Sequence, residues 1–197
     1  MTYPFIIKPD YGGGSTGITK SSKVHNFEEL KTSLRESLQD YTSLIIEEYI
    51  TGREFTVLAY ESSDNLPVVV EPMECVFAGE EKFKHYDLKW IDWKNIEYKP
   101  VKDSRLEQEI MGFCQNLYVT MEVDSYVRFD LRMDENNKLY VNDVNPYCGL
   151  YFQPHEYGSS DLILTNSKKT DHLTFTEQMF RCAIKRHKSK IKNWFII

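Results

Sequence analysis

Two adjacent asparagines, Asn136 and Asn137, constrain this chain more than any other feature. They stand between two alternating runs, Ser125 to Met133 and Lys138 to Val144. Asparagine tolerates the left-handed backbone that a tight hairpin needs, so a two-residue turn here would set an antiparallel register. That register puts Asp130 directly opposite Asp143 and Arg128 opposite Asn145, on one face of the ribbon. Val127, Phe129 and Leu131 alternate with Tyr126, Arg128 and Asp130, which gives the strand one buried face and a specified register. Cross-strand Cβ atoms lie about 5 Å apart, so two carboxylates there repel by roughly 3 kcal/mol at an effective dielectric of about 20. Something positive has to offset that. A hard divalent cation does so best, because magnesium favours one or two carboxylates plus substrate phosphates over an all-protein cage. Asn145 would add a carbonyl oxygen. The alternative is a solvated hairpin, or one slipped by a bulge, with its aspartates relaxed in water.

A second feature lies near the start, where Gly12-Gly13-Gly14-Ser15-Thr16-Gly17 follows a short apolar strand from Tyr3 to Lys8. A dinucleotide fingerprint would need a helix to open at the loop, and the residues from Ile18 to Val24 read as a strand. A Walker loop would need Lys and then Ser or Thr after the last glycine, and Ile18-Thr19 follows instead. What remains is a glycine hairpin whose unhindered amides fold over phosphates, with Lys8 as a nearby cation. A flexible surface turn beside a solvated lysine is the competing reading.

Between and after these features the pattern alternates. Asn26 with Glu29 forms a capping box for a helix carrying Phe27, Leu30, Leu34 and Leu38 on one face. Leu44 to Tyr49, Glu54 to Tyr60 and Leu66 to Val70 read as strands, with turns at Thr51-Gly52 and Ser62 to Asn65. Glu80 to Lys99 has no clean period and reads as a long loop with a short helix. Asp103 to Tyr118 is helical, and Thr174 with Glu177 opens a last helix.

Composition narrows the function. The formal charge of −6 argues against holding nucleic acid through phosphate neutralisation, and the basic run Lys185, Arg186, His187, Lys188, Lys190 and Lys192 reads as a solvated helix end. No apolar run approaches the roughly 20 residues of a membrane helix, so neither nucleic acid nor membrane is expected as a partner. The start lacks the regions of a signal peptide, which makes a cytoplasmic location the default. Cys75, Cys114, Cys148 and Cys182 show no paired spacing, so buried reduced thiols are expected. The absence of H-R-D and D-F-G argues against a protein kinase.

In this order the motifs resemble the ATP-grasp superfamily, specifically the central and C-terminal ATP-binding domains of D-alanine–D-alanine ligases and related carboxylate–amine ligases. The residues concerned are Phe5 to Pro9 before the glycine loop, Ile46 to Val57, Phe83 to Trp90, Arg128-Phe129-Asp130, and Asp143-Val144-Asn145 followed by Gly149. The resemblance implies an α+β fold of two subdomains, residues 1–50 and 51–197, whose antiparallel sheets enclose a nucleotide. It implies that Glu47, Glu48, Tyr49 and Ile50 bind adenine chiefly through backbone, and that Glu54 holds the ribose. Lys8 and Lys89 would contact phosphates, under a loop of Gly13 and Gly14 whose Ser15, Thr16 and Gly17 amides cap the terminal phosphate. Asp130, Asp143 and Asn145 would bind magnesium or manganese, and Arg128, Gly149 and Lys89 would be the catalytic set, with Arg128 and the Gly149 amide steadying an oxyanion.

The implied activity is ATP-dependent joining of a small amino acid or other carboxylate to an amine through an acylphosphate. The family's N-terminal domain has no counterpart here, so another chain or domain would complete the site, and a homodimer is compatible with this. Asp143 stands where members usually carry Glu, Glu48 where Lys is frequent, Gly14 where a loop serine is usual, and Trp90 where a tyrosine helps close the site. The stretch Leu150 to Pro154 lacks the serine that anchors the second D-alanine's carboxylate. A non-catalytic nucleotide-binding or assembly module with a degenerate site is the other reading.

Overall fold

The computed structural model describes residues 2–63, 66–79 and 83–194, without the side chains of residues 189–194. Asp64 and Asn65 of the expected turn, Glu80, Glu81 and Lys82 of the expected loop, and the side chains of Lys190 and Lys192 lie outside the described residues. The chain forms two compact units, residues 1–51 with 76–97, and residues 52–75 with 98–197. The sequence resemblance implies a single division after residue 50. Residues 76–97 instead belong with the first unit, a non-local assignment that no shift in composition announces.

In the first unit β1 (Phe5–Pro9) is the middle strand, flanked antiparallel by β2 (Lys23–Val24) and β3 (Leu44–Glu48). Helix α1 (Phe27–Asp40) opens where its capping box predicts. Asn26 accepts the Glu29 amide at 3.0 Å, and Glu29 reaches back to the His25 amide at 2.7 Å. Phe27 and Leu38 of its apolar face remain exposed, so this helix covers the small sheet with Leu30, Ser33 and Leu34. The expected strand from Ile18 to Val24 shrinks to two residues. The Thr19 amide donates to Ser22 Oγ at 2.9 Å and the Ser22 amide to the Thr19 carbonyl at 3.1 Å, closing a 3-10 turn in its place.

The second unit is built on β4 (Arg53–Tyr60), the middle of a six-stranded sheet. Its partners include β5 (Val68–Val69), β6 (Met73–Phe77) and β8 (Tyr126–Met133), all antiparallel to it; β7 (Ile96–Pro100) lies beyond β6, and β9 (Leu139–Asn145) beyond β8. Neither β6 nor β7 was legible as a strand. Phe55, Val57 and Ala59 of β4 and Val127, Phe129 and Leu131 of β8 face Ile110, Cys114 and Tyr118 of helix α3 (Ser104–Thr120). On the opposite face Leu58 and Tyr60 pack with Ile163 and Leu164 of helix α4 (Ser159–Asn166) and Phe175 of helix α5 (His172–Trp194). Helix α4 was not expected. Helix α5 starts before Thr174, because Asp171 accepts the Thr174 amide at 2.7 Å and takes the capping role assigned to Thr174. All four cysteines are free and buried. Among the described residues no helix is long and apolar enough to cross a membrane.

The hairpin keeps the expected facing pairs by a different route. Its turn has three residues, Glu135, Asn136 and Asn137, with the Asn137 amide donating to the Asp134 carbonyl at 3.0 Å and Asn137 left-handed at φ 63°. That alone would pair Leu131 with Val141, as observed, and Asp130 with Asn142. A bulge follows, however, and the ladder resumes with Asp130 opposite Asp143 and Arg128 opposite Asn145. The two-residue turn was wrong, and the extra residue in the turn is compensated by the extra residue at the bulge.

Candidate functional site

The even-numbered residues of β8 point away from α3, so the sheet's other face carries Arg128, Asp130 and Arg132 in a row beside Thr56 and Glu54 of β4. Asp130 is 7% exposed and accepts hydrogen bonds on both of its oxygens. Arg128 grips it along one edge of the guanidinium, Nε to Oδ1 at 2.9 Å and Nη2 to Oδ2 at 2.8 Å; Thr56 Oγ1 donates to Oδ1 at 2.8 Å and Asn145 Nδ2 to Oδ2 at 3.3 Å. Asp143, directly opposite, is exposed and accepts the Val144 amide at 2.9 Å. The positive charge that the facing aspartates require is therefore present in the protein, as Arg128. Residues two apart on a strand share a face, so the arginine reaches its neighbour's carboxylate without help from an ion. Burial alone would lower the Arg128 pKa; the charge and hydrogen bonds of Asp130 overcome this and raise it.

Next to this cluster Glu54 and Arg132, opposed across β4 and β8, make an ion pair at 2.8 Å with 3% and 4% of their side chains exposed. Arg132 Nη2 also donates to the Gly52 carbonyl at 3.3 Å. A side chain cannot be added at Gly52, where φ is +144° and a Cβ would lie 2.0 Å from the Met133 carbonyl oxygen. The Glu54 carboxylate thus faces an arginine within the sheet. Thr56 and Arg132 were not singled out from the sequence. Their signal was the same-face spacing from Glu54 and Asp130, which becomes legible only once β4 is known to pair with β8.

Gly149 lies just beyond β9, and Phe152 packs over it so closely that a Cβ would fall 2.6 Å from the ring. Among the described residues no three or more His, Cys, Asp and Glu gather to hold a metal alone. The hard oxygens of Asp130, Asp143 and Asn145 on one face do suit a cation that keeps waters and shares phosphate ligands. A cavity of about 350 Å³ lined by Glu107, Gln108, Met111 and Lys169 contains none of these residues.

In the first unit the glycine loop is a series of tight turns, with the Thr16 amide on the Gly13 carbonyl at 3.2 Å and the Ile18 amide on the Ser15 carbonyl at 3.0 Å. Ser15 sits at φ 64°, and its Oγ donates to the Lys84 carbonyl at 3.0 Å. Trp90 of the short helix α2 (Tyr86–Trp90) donates from Nε1 to the Gly14 carbonyl at 2.7 Å and lies against Gly14. His85, 1% exposed, caps that helix by accepting the Leu88 amide on Nδ1 at 3.3 Å. Lys89 lies in the last turn of α2, its ammonium 5.7 Å from the Trp90 ring. Lys8 pairs with Glu47 at 2.7 Å across β1 and β3. Glu48 accepts the Thr2 amide and hydroxyl at 2.9 and 2.7 Å, and these bonds hold its pKa below the usual carboxylate value. Tyr49 is buried under the Lys23 ammonium, which lies 3.9 Å above its ring, and Ile50 follows, half-buried.

The family described as "D-ala D-ala ligase C-terminus" matches residues 1–152. A D-alanine–D-alanine ligase of Staphylococcus carnosus is 26% identical over 198 aligned positions, covering 100% of this chain and 52% of that protein. A D-alanine–D-alanine ligase B of Clostridium tetani is 32% identical over 151 positions, covering 76% of the chain and 40% of its own length. The solved VanG D-Ala:D-Ser ligase of Enterococcus faecalis superposes with a TM-score of 0.71 at 20% identity, over 92% of this chain and 50% of that one. A D-alanine–D-alanine ligase of Bacillus anthracis complexed with ATP gives 0.66 at 17% identity, over 95% and 55%. The chain spans about half the length of the curated relatives it matches. Its fold is the ATP-grasp fold of these ligases, and by sequence the chain belongs to the family of D-alanine–D-alanine ligase C-terminal domains.

Proposed function

We propose that this chain is the nucleotide- and metal-binding portion of an ATP-dependent carboxylate–amine ligase that works through an acylphosphate. The observation that carries this reading is the cluster on one sheet face: Arg128 clamped to Asp130, with Asn145 and Asp143 beside them and Gly149 following. Relatives of the matched family are named D-alanine–D-alanine ligases, so a small amino acid is the favoured carboxylate. In this reading the half of those ligases that the chain does not match is supplied by a further domain or chain, and a homodimer is one such arrangement.

The chemistry follows from charge. A carboxylate is a poor electrophile, so its oxygen attacks the terminal phosphorus of ATP, the bridging P–O bond breaks, and ADP departs. Lys8, Lys89 and the amides of Gly13, Gly14, Ser15 and Gly17 would contact the phosphates, with the Thr16 amide sharing its hydrogen between phosphate and the Gly13 carbonyl. Glu47 to Ile50 would line the adenine, and Glu54 the ribose. Asp130, Asp143 and Asn145 would hold magnesium or manganese, which when bound supplies neutralisation of the phosphate oxygens. An amine then attacks the acyl carbon, the tetrahedral oxyanion collapses, the C–O bond to phosphate breaks, and the amine's proton leaves to solvent. With Nε and Nη2 committed to Asp130, Arg128 would meet that oxyanion with Nη1, together with the Gly149 amide.

A second reading, a nucleotide-binding module that forms no bond, is favoured by one observation: Arg132 already occupies the Glu54 carboxylate. Two measurements separate them. With the completing domain or chain present, amino-acid-dependent ADP release supports the ligase, whereas nucleotide binding without turnover supports the module. The metal assignment is tested by titrating an ATP analogue with and without Mg²⁺. Asp143 is exposed, so Asp143→Asn should leave folding intact and reduce the magnesium-dependent gain in affinity about tenfold, within the range that losing one charged ligand contact produces. An unchanged gain removes Asp143 from the metal site.

A further inference from the structure

The turn that carries Gly149 is held from outside the sheet. Two residues after Gly149, Tyr151 has φ 66°, a left-handed conformation that L side chains rarely adopt. Its amide donates to Asp161 Oδ1 at 2.7 Å, and His172 Nε2 lies 2.8 Å from the same oxygen. Asp161 is completely buried in the first turn of α4, and His172 opens α5 with 27% of its side chain exposed. Tyr157 stacks on the imidazole at 5.7 Å and 28°, and the Tyr151 ring lies 5.8 Å from it. The Tyr151 hydroxyl is 2.6 Å from Thr176 Oγ1, which itself donates to the His172 carbonyl. Tyr151 is therefore gripped at its amide, its ring and its hydroxyl, all by groups gathered around one imidazole.

This arrangement is costly as mere glue between α4 and α5. Asp161 Oδ2 is buried and has no hydrogen-bond partner among the described residues, while both of the bonds above converge on Oδ1. Apolar side chains would join two helices without stranding a carboxylate oxygen. Polar groups kept at such a cost mark a place where direction matters more than adhesion, and here the directed atom is the backbone of Tyr151.

We infer that Asp161 and His172 are positioning residues: they hold the Gly149–Tyr151 turn in one conformation and thereby aim the Gly149 amide at the oxyanion. Neither touches the reacting atoms. The inference rests on the ligase reading for its consequence in turnover, but its structural half is measurable alone.

The test uses Asp161→Leu, which removes the acceptor and fills the space with an apolar side chain, and Asp161→Asn, which keeps an acceptor for the Tyr151 amide. Should Asp161→Leu fail to fold, His172→Phe replaces it, because the ring stack on Tyr157 is retained and only the nitrogens are lost. In the full chain, hydrogen exchange of residues 148–153 should quicken about tenfold in Asp161→Leu, and stay near wild type in Asp161→Asn. Amino-acid-dependent ADP release should show kcat down about tenfold in Asp161→Leu with the KM for ATP within about twofold, and largely recovered in Asp161→Asn. A purely structural pair would move stability without that split or that rescue. Unchanged exchange overturns the inference, and so does quickened exchange with full kcat. If the wild-type chain shows no turnover even when supplied with the further domain or chain that completes it, the ligase reading fails and exchange alone decides whether the pair fixes the turn.

Discussion

At the scale of single residues, the candidate site contains two guanidinium–carboxylate pairs that behave differently. Arg128 and Asp130 sit two apart on one strand, so their pairing is local and the spacing contained it. Glu54 and Arg132 are 78 residues apart and meet only because β4 and β8 are neighbours. With 3% and 4% exposure, neither member of that second pair has water to replace its partner. Glu54→Gln should therefore destabilise the chain by about 3–5 kcal/mol in urea unfolding, because an uncompensated buried charge remains. Glu54→Gln combined with Arg132→Met should recover most of that loss, since the stranded guanidinium is gone. Equal losses in the single and double variants would show that the pair contributes net attraction rather than mutual compensation.

At the scale of elements, the hairpin shows how a correct pairing can follow from an incorrect turn. Asn137 alone adopts the left-handed conformation in a three-residue turn, so Asn137→Val should cost about 1–2 kcal/mol, while Asn137→Gly should change stability by less than about half that. Thermal unfolding of the two variants distinguishes them. The turn is also tied by Asp134, whose carboxylate accepts the Lys138 and Asn136 amides at 2.9 Å each and the Tyr140 hydroxyl at 3.2 Å. These bonds, led by Lys138, hold its pKa below the ordinary value. A depressed folded-state pKa stabilises above the unfolded value of about 3.9, and that stability is lost as pH falls through the folded one. Asp134→Asn should accordingly melt earlier than wild type at pH near 7, and the gap should close in acid below the carboxylate range. A gap that persists unchanged in acid would assign the loss to packing.

At the scale of the whole molecule, the second unit has two buried clusters on the two faces of its sheet, whereas the first buries Ile7, Val24, Tyr49 and Leu88 among its described apolar residues. A ligand that binds only the folded chain adds stability by mass action. An ATP analogue with Mg²⁺ at about a hundred times its Kd should contribute about 2.7 kcal/mol, or roughly 5–10 °C in Tm for a chain of this size. No shift under those conditions would count against both functional readings together, since each requires bound nucleotide.

Local chemistry in the sequence was enough to determine the start of α1 at Asn26, the extended runs of β1, β3, β4, β8 and β9, the glycine loop, and the Arg128–Asp130 and Asp143–Asn145 motifs. Each of these rests on neighbours within a few positions, where capping bonds, alternation and turn preference act directly on the chain. Three things waited on tertiary structure: the return of residues 76–97 to the first unit, the Asn142 bulge that brings Asp143 opposite Asp130, and the arginine that closes on Glu54. All three depend on which strands become neighbours. That choice is made by burying Phe55, Val57, Phe129 and Leu131 against a helix far along the chain, a sum over distant apolar contacts that no short window of residues contains.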